Sequence, residues 1–150
     1  MTMQLTSAAF ATSEWIPEKY TGEGHDVSPP LSWTGIPKDT KELALICDDP
    51  DAPTPQPWVH WVAYRISPDT DGLPENADGS FAHGQNDFGQ LGYGGPMPPE
   101  GHGIYHYFFR LYALDKSLNV SPGLTKEQLL GLMKDHILAE AELVGLYERT

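Results

Sequence analysis

Residues that interrupt helices are spread so densely through this chain that a helical bundle is excluded. Gly and Pro fill 29 of the 150 positions (15 and 14), about a fifth, where an average chain has roughly 12%. Over the first forty residues short apolar stretches alternate with turn residues: Phe10, Trp15 and Ile16, then Pro17, Gly22 and Gly24, then Ser28-Pro29-Pro30, then Gly35 and Pro37. Short strands joined by ordered loops produce that pattern. A chain of this length reads as one domain over residues 1–150 with a sizeable core, and 39% apolar and 11% aromatic content excludes a disordered one.

Three strands stand out. The run from Glu42 to Cys47 is apolar after its first residue and ends abruptly in Asp48-Asp49-Pro50-Asp51-Ala52-Pro53. It reads as a strand buried on both faces that delivers an acidic loop at its end. Trp58 to Ile66 follows. Strict alternation puts Trp58, His60, Val62, Tyr64 and Ile66 on one face and Val59, Trp61, Ala63 and Arg65 on the other. Ser67 to Gly103 reads as a long ordered loop region. Tyr105 to Leu114 then turns Tyr105, Tyr107, Phe109, Leu111 and Ala113 one way and His106, Phe108, Arg110, Tyr112 and Leu114 the other.

Only the end of the chain has helical signals. Thr125 with Gln128 makes a capping box, and Leu124 can staple onto Leu129. Leu129, Leu132, Met133, His136, Ile137, Glu140 and Leu143 keep a helical spacing, which predicts a helix over about 125–142 with one stripe on the sheet. No internal repeat is visible.

The net charge of -12 argues against binding nucleic acid through its backbone and against stable membrane association. A small anion stays open, because a few convergent donors outweigh a distant, screened charge. The single cysteine, Cys47, excludes a disulfide framework and a zinc ribbon and reads as a small buried hydrophobe. No basic residue precedes Lys19, no signal-like apolar core occurs, and no apolar stretch approaches the ~18 residues of a membrane span. The expectation is a soluble cytoplasmic protein.

Chemistry concentrates in three places. Prolines at 50, 53, 55 and 57 stiffen the loop that carries Asp49 and Asp51, an arrangement suited to holding carboxylates in place or to a capped surface turn. His60 follows in a strand, where it is either a satisfied core residue or the partner of one of those aspartates, the start of an anion site or of an acid–base pair. Gly92-Tyr93-Gly94-Gly95-Pro96-Met97-Pro98-Pro99 leads into the Tyr105 strand. Its glycines let backbone amides form an anion-holding nest or simply shape a turn. His83, Asp87, His102 and His106 are candidate metal ligands by residue type, but His102 and His106 fall on a loop and a strand, where their spacing does not bring them together. No metal and no cofactor is expected. No Gly-x-Ser-x-Gly elbow occurs and no Cys–His pair is suggested, so no nucleophile and no catalytic residue is assigned.

Asp49-Pro50-Asp51-Ala52-Pro53, Trp58-Val59-His60-Trp61, the Gly92–Pro99 stretch and Tyr107-x-Phe109-x-Leu111-Tyr112-Ala113-Leu114 together resemble the phosphatidylethanolamine-binding protein family, also called the Raf kinase inhibitor protein family. Ile16-Pro17, Tyr20-Thr21, Val27 to Trp33, and Ala139 to Leu143 resemble its bacterial and archaeal branch, the YbhB/YbcL type. The resemblance covers nearly the whole chain. It implies a mainly β fold, a large antiparallel sheet packed on a smaller one with peripheral helices, and a small pocket for phosphate-like anions. Carried over by motif, Asp49, Asp51 and His60 line the pocket, backbone from Gly94, Gly95 and Pro96 forms its rim, Tyr105 and Tyr107 complete it, and the Ala52–Pro53 bond is cis. A homodimer is implied as well, since similar bacterial proteins are often dimers.

One departure matters. Where the family usually has His-x-Tyr, this chain has Tyr105-His106-Tyr107, so a tyrosine stands where the second pocket histidine would be, and parity turns His106 away. Two aspartates are poor company for an anion, which predicts that His60, tyrosine hydroxyls and amides hold the oxyanion while a carboxylate orients His60 or takes a proton from the ligand. The resulting expectation is a small-anion binding protein, open to a regulatory role. Two alternatives stay open: a hydrolase using an Asp/His pair in the same pocket, and a protein-interaction module without a physiological small ligand.

Overall fold

The computed structural model describes residues 2–150. Nine strands form two sheets: β1 (Gln4–Thr6), β2 (Glu14–Trp15), β3 (Leu31–Thr34), β4 (Glu42–Asp49), β5 (Trp58–Ile66), β6 (Gly72–Leu73), β7 (Ala82–His83), β8 (Tyr105–Leu114) and β9 (Ile137–Tyr147). The large sheet runs β2-β9-β8-β4-β5-β7 and the small one β1-β3-β6. All neighbours are antiparallel except the short β2, which lies parallel to β9. The fold is therefore mainly β, as expected. Among the described residues no helix is long and apolar enough to cross a membrane.

β4 is central and every residue in it is buried, which is why its sequence shows no alternation. Leu43, Leu45 and Cys47 face the small sheet and join Trp33, Trp61, Phe109, Leu111 and Leu143 in the main core. Ala44 and Ile46 face the other way and pack with Val62, Tyr64, Leu114, Leu129 and Met133 under helix α1 (Lys126–Met133). That helix starts where the sequence says: Thr125 accepts from Gln128 N at 3.2 Å while the Gln128 side chain accepts from Thr125 N at 2.9 Å.

The helix ends far earlier than 142. It stops at Met133; Asp135 takes φ 69°, and Ile137–Tyr147 is a strand paired with β8 along its whole length. The stretch satisfies two periods at once, since Ile137, Glu140 and Leu143 fit a helix while Ala139, Ala141, Leu143 and Tyr147 alternate with Glu140 and Glu142. Tertiary pairing decides between them. Without β9 the ten-residue β8 would be an unpaired edge.

Alternation in β5 also fails, at two bulges. Cys47 lies opposite Trp61 but Asp48 opposite Val59, which leaves His60 as an extra residue. A second shift falls between Leu43 and Leu45, where Arg65 takes φ 59°. As a result Trp61, Ala63 and Ile66 share the inner face while Val59, Val62 and Tyr64 lie under α1, unlike the strict alternation expected. The Ala52–Pro53 bond is trans, not cis, as are the other peptide bonds described.

Candidate ligand-binding site

At the end of the large sheet where β4 finishes and β8 begins, a cleft of about 230 Å³ opens on the inner face. Its base is built from three neighbouring strands. Asp49 ends β4 beside Trp58 of β5, the bulge brings His60 to the same side, and β8 contributes Tyr105 and Tyr107 on the face parity gives them. One wall is Ala52, Pro53 and Thr54, the other Met97, Pro98 and Pro99, with Phe88 closing the side. Aromatic edges fix the imidazole: Phe88 and Tyr107 meet it at 5.4 and 5.1 Å between ring centroids, both edge-on.

Each polar group at the base has a defined state. His60 Nδ1–H donates to the Gly94 carbonyl at 2.6 Å. A carbonyl only accepts, so Nδ1 carries the hydrogen and Nε2, which has no partner among the described residues, carries a lone pair. Burial lowers the imidazole from 6.5 to about 4, against the opposing pull of the Gly94 carbonyl; the ring is neutral at physiological pH. Asp49 is 3% exposed. Burial raises its carboxyl from 3.8 to about 6, although the Asp51 amide, 2.8 Å from Oδ1, favours the ionised form. Burial likewise raises Tyr105 and Tyr107, so both keep their protons. The Tyr105 hydroxyl lies 3.1 Å from His102 Nδ1, and that of Tyr107 has no partner among the described residues.

The other residues singled out by sequence lie elsewhere. Asp51 does not line the cleft; its Oδ2 accepts from His106 N at 2.7 Å and from His106 Nδ1 at 2.8 Å, tying the proline-rich loop to the outer side of β8. Gly94, Gly95 and Pro96 do not form an anion nest. Gly94 N donates to the His60 carbonyl at 2.9 Å, Gly95 N to Asp26 Oδ1 at 2.7 Å, and proline has no N–H. These glycines serve close packing instead: a side chain at Gly94 would run into the Phe88 ring and one at Gly95 into the Tyr20 carbonyl. The candidate metal ligands His83, Asp87, His102 and His106 are dispersed. His83 accepts from Trp61 Nε1, Asp87 accepts from Val59 N, and among the described residues no three His, Cys, Asp or Glu side chains converge. Pro98 and Pro99 lie in the Gly92–Pro99 stretch that the sequence assigns to the pocket, whereas Trp58 and Phe88 were missed as cleft walls; Phe88 stands alone in a polar loop and carries no periodic signal.

Two facing sheets with a cleft at one end define a β-sandwich. The chain belongs to the phosphatidylethanolamine-binding protein family, whose model matches residues 6–148. It is 52% identical to a UPF0098 protein of Methanothermobacter thermautotrophicus over 98% of this chain and 99% of that one. Among solved structures, a phosphatidylethanolamine-binding protein homologue of Chlamydia trachomatis is 44% identical with a TM-score of 0.94, covering 99% of both chains. YbcL of E. coli, a member of the mammalian PEBP family, is 32% identical with a TM-score of 0.93 and full coverage of both.

Proposed function

We propose that this chain is a small-anion binding protein that holds a phosphate-type head group at the base of the cleft. The supporting observation is the convergence of Asp49, His60, Tyr105 and Tyr107 from three strands on one apolar-walled space, with the Tyr107 hydroxyl and the His60 Nε2 left without protein partners. Polar groups that find no partner inside the protein are placed for a ligand. The Tyr107 hydroxyl is the free donor to the oxyanion, and the Tyr105 hydroxyl joins it when His102 Nδ1 supplies the hydrogen of their contact.

Titration with inorganic phosphate and with phosphoethanolamine at pH 6.5, read by calorimetry, tests this. Saturable one-site heat is expected, weakened about tenfold in Tyr107→Phe and by no more than a few-fold in His106→Ala, whose side chain lies outside the cleft and holds Asp51. Heat from neither ligand would sink the proposal. The hydrolase reading draws on Asp49 near neutrality beside an uncharged His60, a pair able to exchange protons; phosphate-ester turnover lost in Asp49→Asn would replace binding with catalysis. Cytoplasmic location, a regulatory role and a homodimer belong to the same proposal on the family resemblance. Sedimentation at micromolar concentration checks the last.

A further inference from the structure

The cleft contains no cation. Its lining has neither Lys nor Arg, and its one imidazole is fixed as the tautomer with the hydrogen on Nδ1. At the base, two groups accept hydrogen bonds, the Asp49 carboxylate and His60 Nε2, while the Tyr107 hydroxyl donates and the Tyr105 hydroxyl, 3.1 Å from His102 Nδ1, donates when that nitrogen carries the hydrogen of their contact. A tetrahedral oxyanion whose oxygens all carry lone pairs and no hydrogen would meet the two hydroxyls well and the two acceptors badly. Acceptor facing acceptor at hydrogen-bond distance is repulsive, and the buried carboxylate cannot swing into water to avoid it. A ligand that brings its own hydrogen on one oxygen turns the same contact into an O–H···O⁻ bond, one of the stronger kinds.

We propose that Asp49, aided by His60 Nε2, makes this site selective for proton-bearing oxyanions and excludes fully ionised ones of the same shape. The inference rests on the anion-binding reading and names the class of anion. Inorganic phosphate, which keeps at least one hydrogen at neutral pH, is a ligand; sulfate, which keeps none, is not. Phosphomonoesters bind as the singly charged species and lose affinity as the second proton leaves, near pH 6.

Asp49 is the acceptor that decides, because of what surrounds it. Asp48 on its own strand points to the opposite face, and Asp51 is turned outward and held by His106. β5 presents the neutral His60, β8 presents Tyr105 and Tyr107, and the Met97–Pro99 wall adds no titratable group. His102 lies behind Tyr105, 3.1 Å from its hydroxyl; among the described residues no Lys or Arg lines the cleft beside the carboxyl, so a hydrogen-bearing ligand is its natural partner. Below its titration near pH 6 the carboxyl itself carries a hydrogen and can donate, so the exclusion of sulfate is relaxed in acid.

The test is titration calorimetry with phosphate and with sulfate at pH 7.5 and matched ionic strength. Heat is the readout because sulfate stabilises proteins non-specifically. The wild type is expected to bind phosphate at least about tenfold more tightly than sulfate. Asp49→Asn, which replaces an acceptor oxygen by an N–H donor, is expected to gain sulfate binding and lose the discrimination. Equal affinities in the wild type, or an unchanged ratio in Asp49→Asn, would overturn the selectivity and leave anion binding standing. No heat from either ion at pH 7.5 or at pH 6.5 would instead overturn anion binding itself. If Asp49→Asn does not fold, the wild type carries the test: its sulfate affinity rises about tenfold from pH 7.5 to pH 5, and a flat sulfate affinity overturns the proposal.

Discussion

Asp48 and Asp49 are consecutive, both carboxylates, and almost equally buried at 2% and 3% exposure, yet they lie on opposite faces of the same strand in opposite circumstances. Asp48 faces α1 and is neutralised twice, by Lys126 Nζ at 2.6 Å and Arg110 Nη1 at 3.4 Å. Asp49 faces the cleft, with backbone amides and no cation. The first holds the helix onto the sheet; the second is a buried charge the fold leaves uncompensated. Burial alone therefore does not separate structural from functional carboxylates in this chain. The presence of a partner does.

The contrast can be broken most directly at Asp48. Asp48→Ala strands Lys126 and leaves Arg110 with Glu142 alone, and is expected to cost about 3 kcal/mol in urea unfolding, the low end for buried pairs because both cations keep some solvent contact. Asp49→Asn is expected to cost nothing at pH 7. Equal losses in the two variants would erase the distinction.

A somewhat smaller effect sharpens it through pH. The folded state holds a proton on Asp49 up to about 6, against 3.8 ordinarily, so this group makes stability fall as pH rises from about 4 to about 6. His60 is depressed to about 4 from 6.5, so the unfolded chain binds the extra proton and stability rises over nearly the same window. Each contributes about 2–3 kcal/mol, with opposite sign, and the wild type is expected to be nearly flat. Removing the first by Asp49→Asn should expose the second as a clear rise in unfolding free energy from pH 4 to pH 6.5. A variant profile as flat as the wild type's would show that the carboxyl is not held out of water.

The smallest effect belongs to Asp51. Its side chain is 39% exposed, so Asp51→Asn is expected to change stability by no more than about 0.5–1 kcal/mol. Phosphate affinity should fall only a few-fold, as the Pro53 wall loosens. A loss as large as that of Tyr107→Phe would move Asp51 from the outside of the loop into the binding contact.

The strands that carry the site were legible because each has a strong local signature. β5 and β8 begin and end where aromatic and β-branched residues do, and the capping box marks the start of α1. What was not legible depended on pairing. β9 fits two periods, and only its neighbour selects one. The bulge at His60 is invisible in its own segment, because the register shift is a property of β4 and β5 together. The same holds for Asp51, whose outward turn depends on where His106 emerges on β8, and for the glycines at 94 and 95, whose amides are taken by His60 and Asp26 from elsewhere in the chain.

His60 is a residue the sheet does not count. Pairing between β4 and β5 resumes on either side of it, so the histidine occupies a position that could be excised without shortening any ladder. Asp49, Tyr105 and Tyr107 reach the cleft from paired positions, whereas the imidazole enters it through an unpaired insertion. Removing that one codon would take the imidazole out of the cleft while every β4–β5 pair stayed in place.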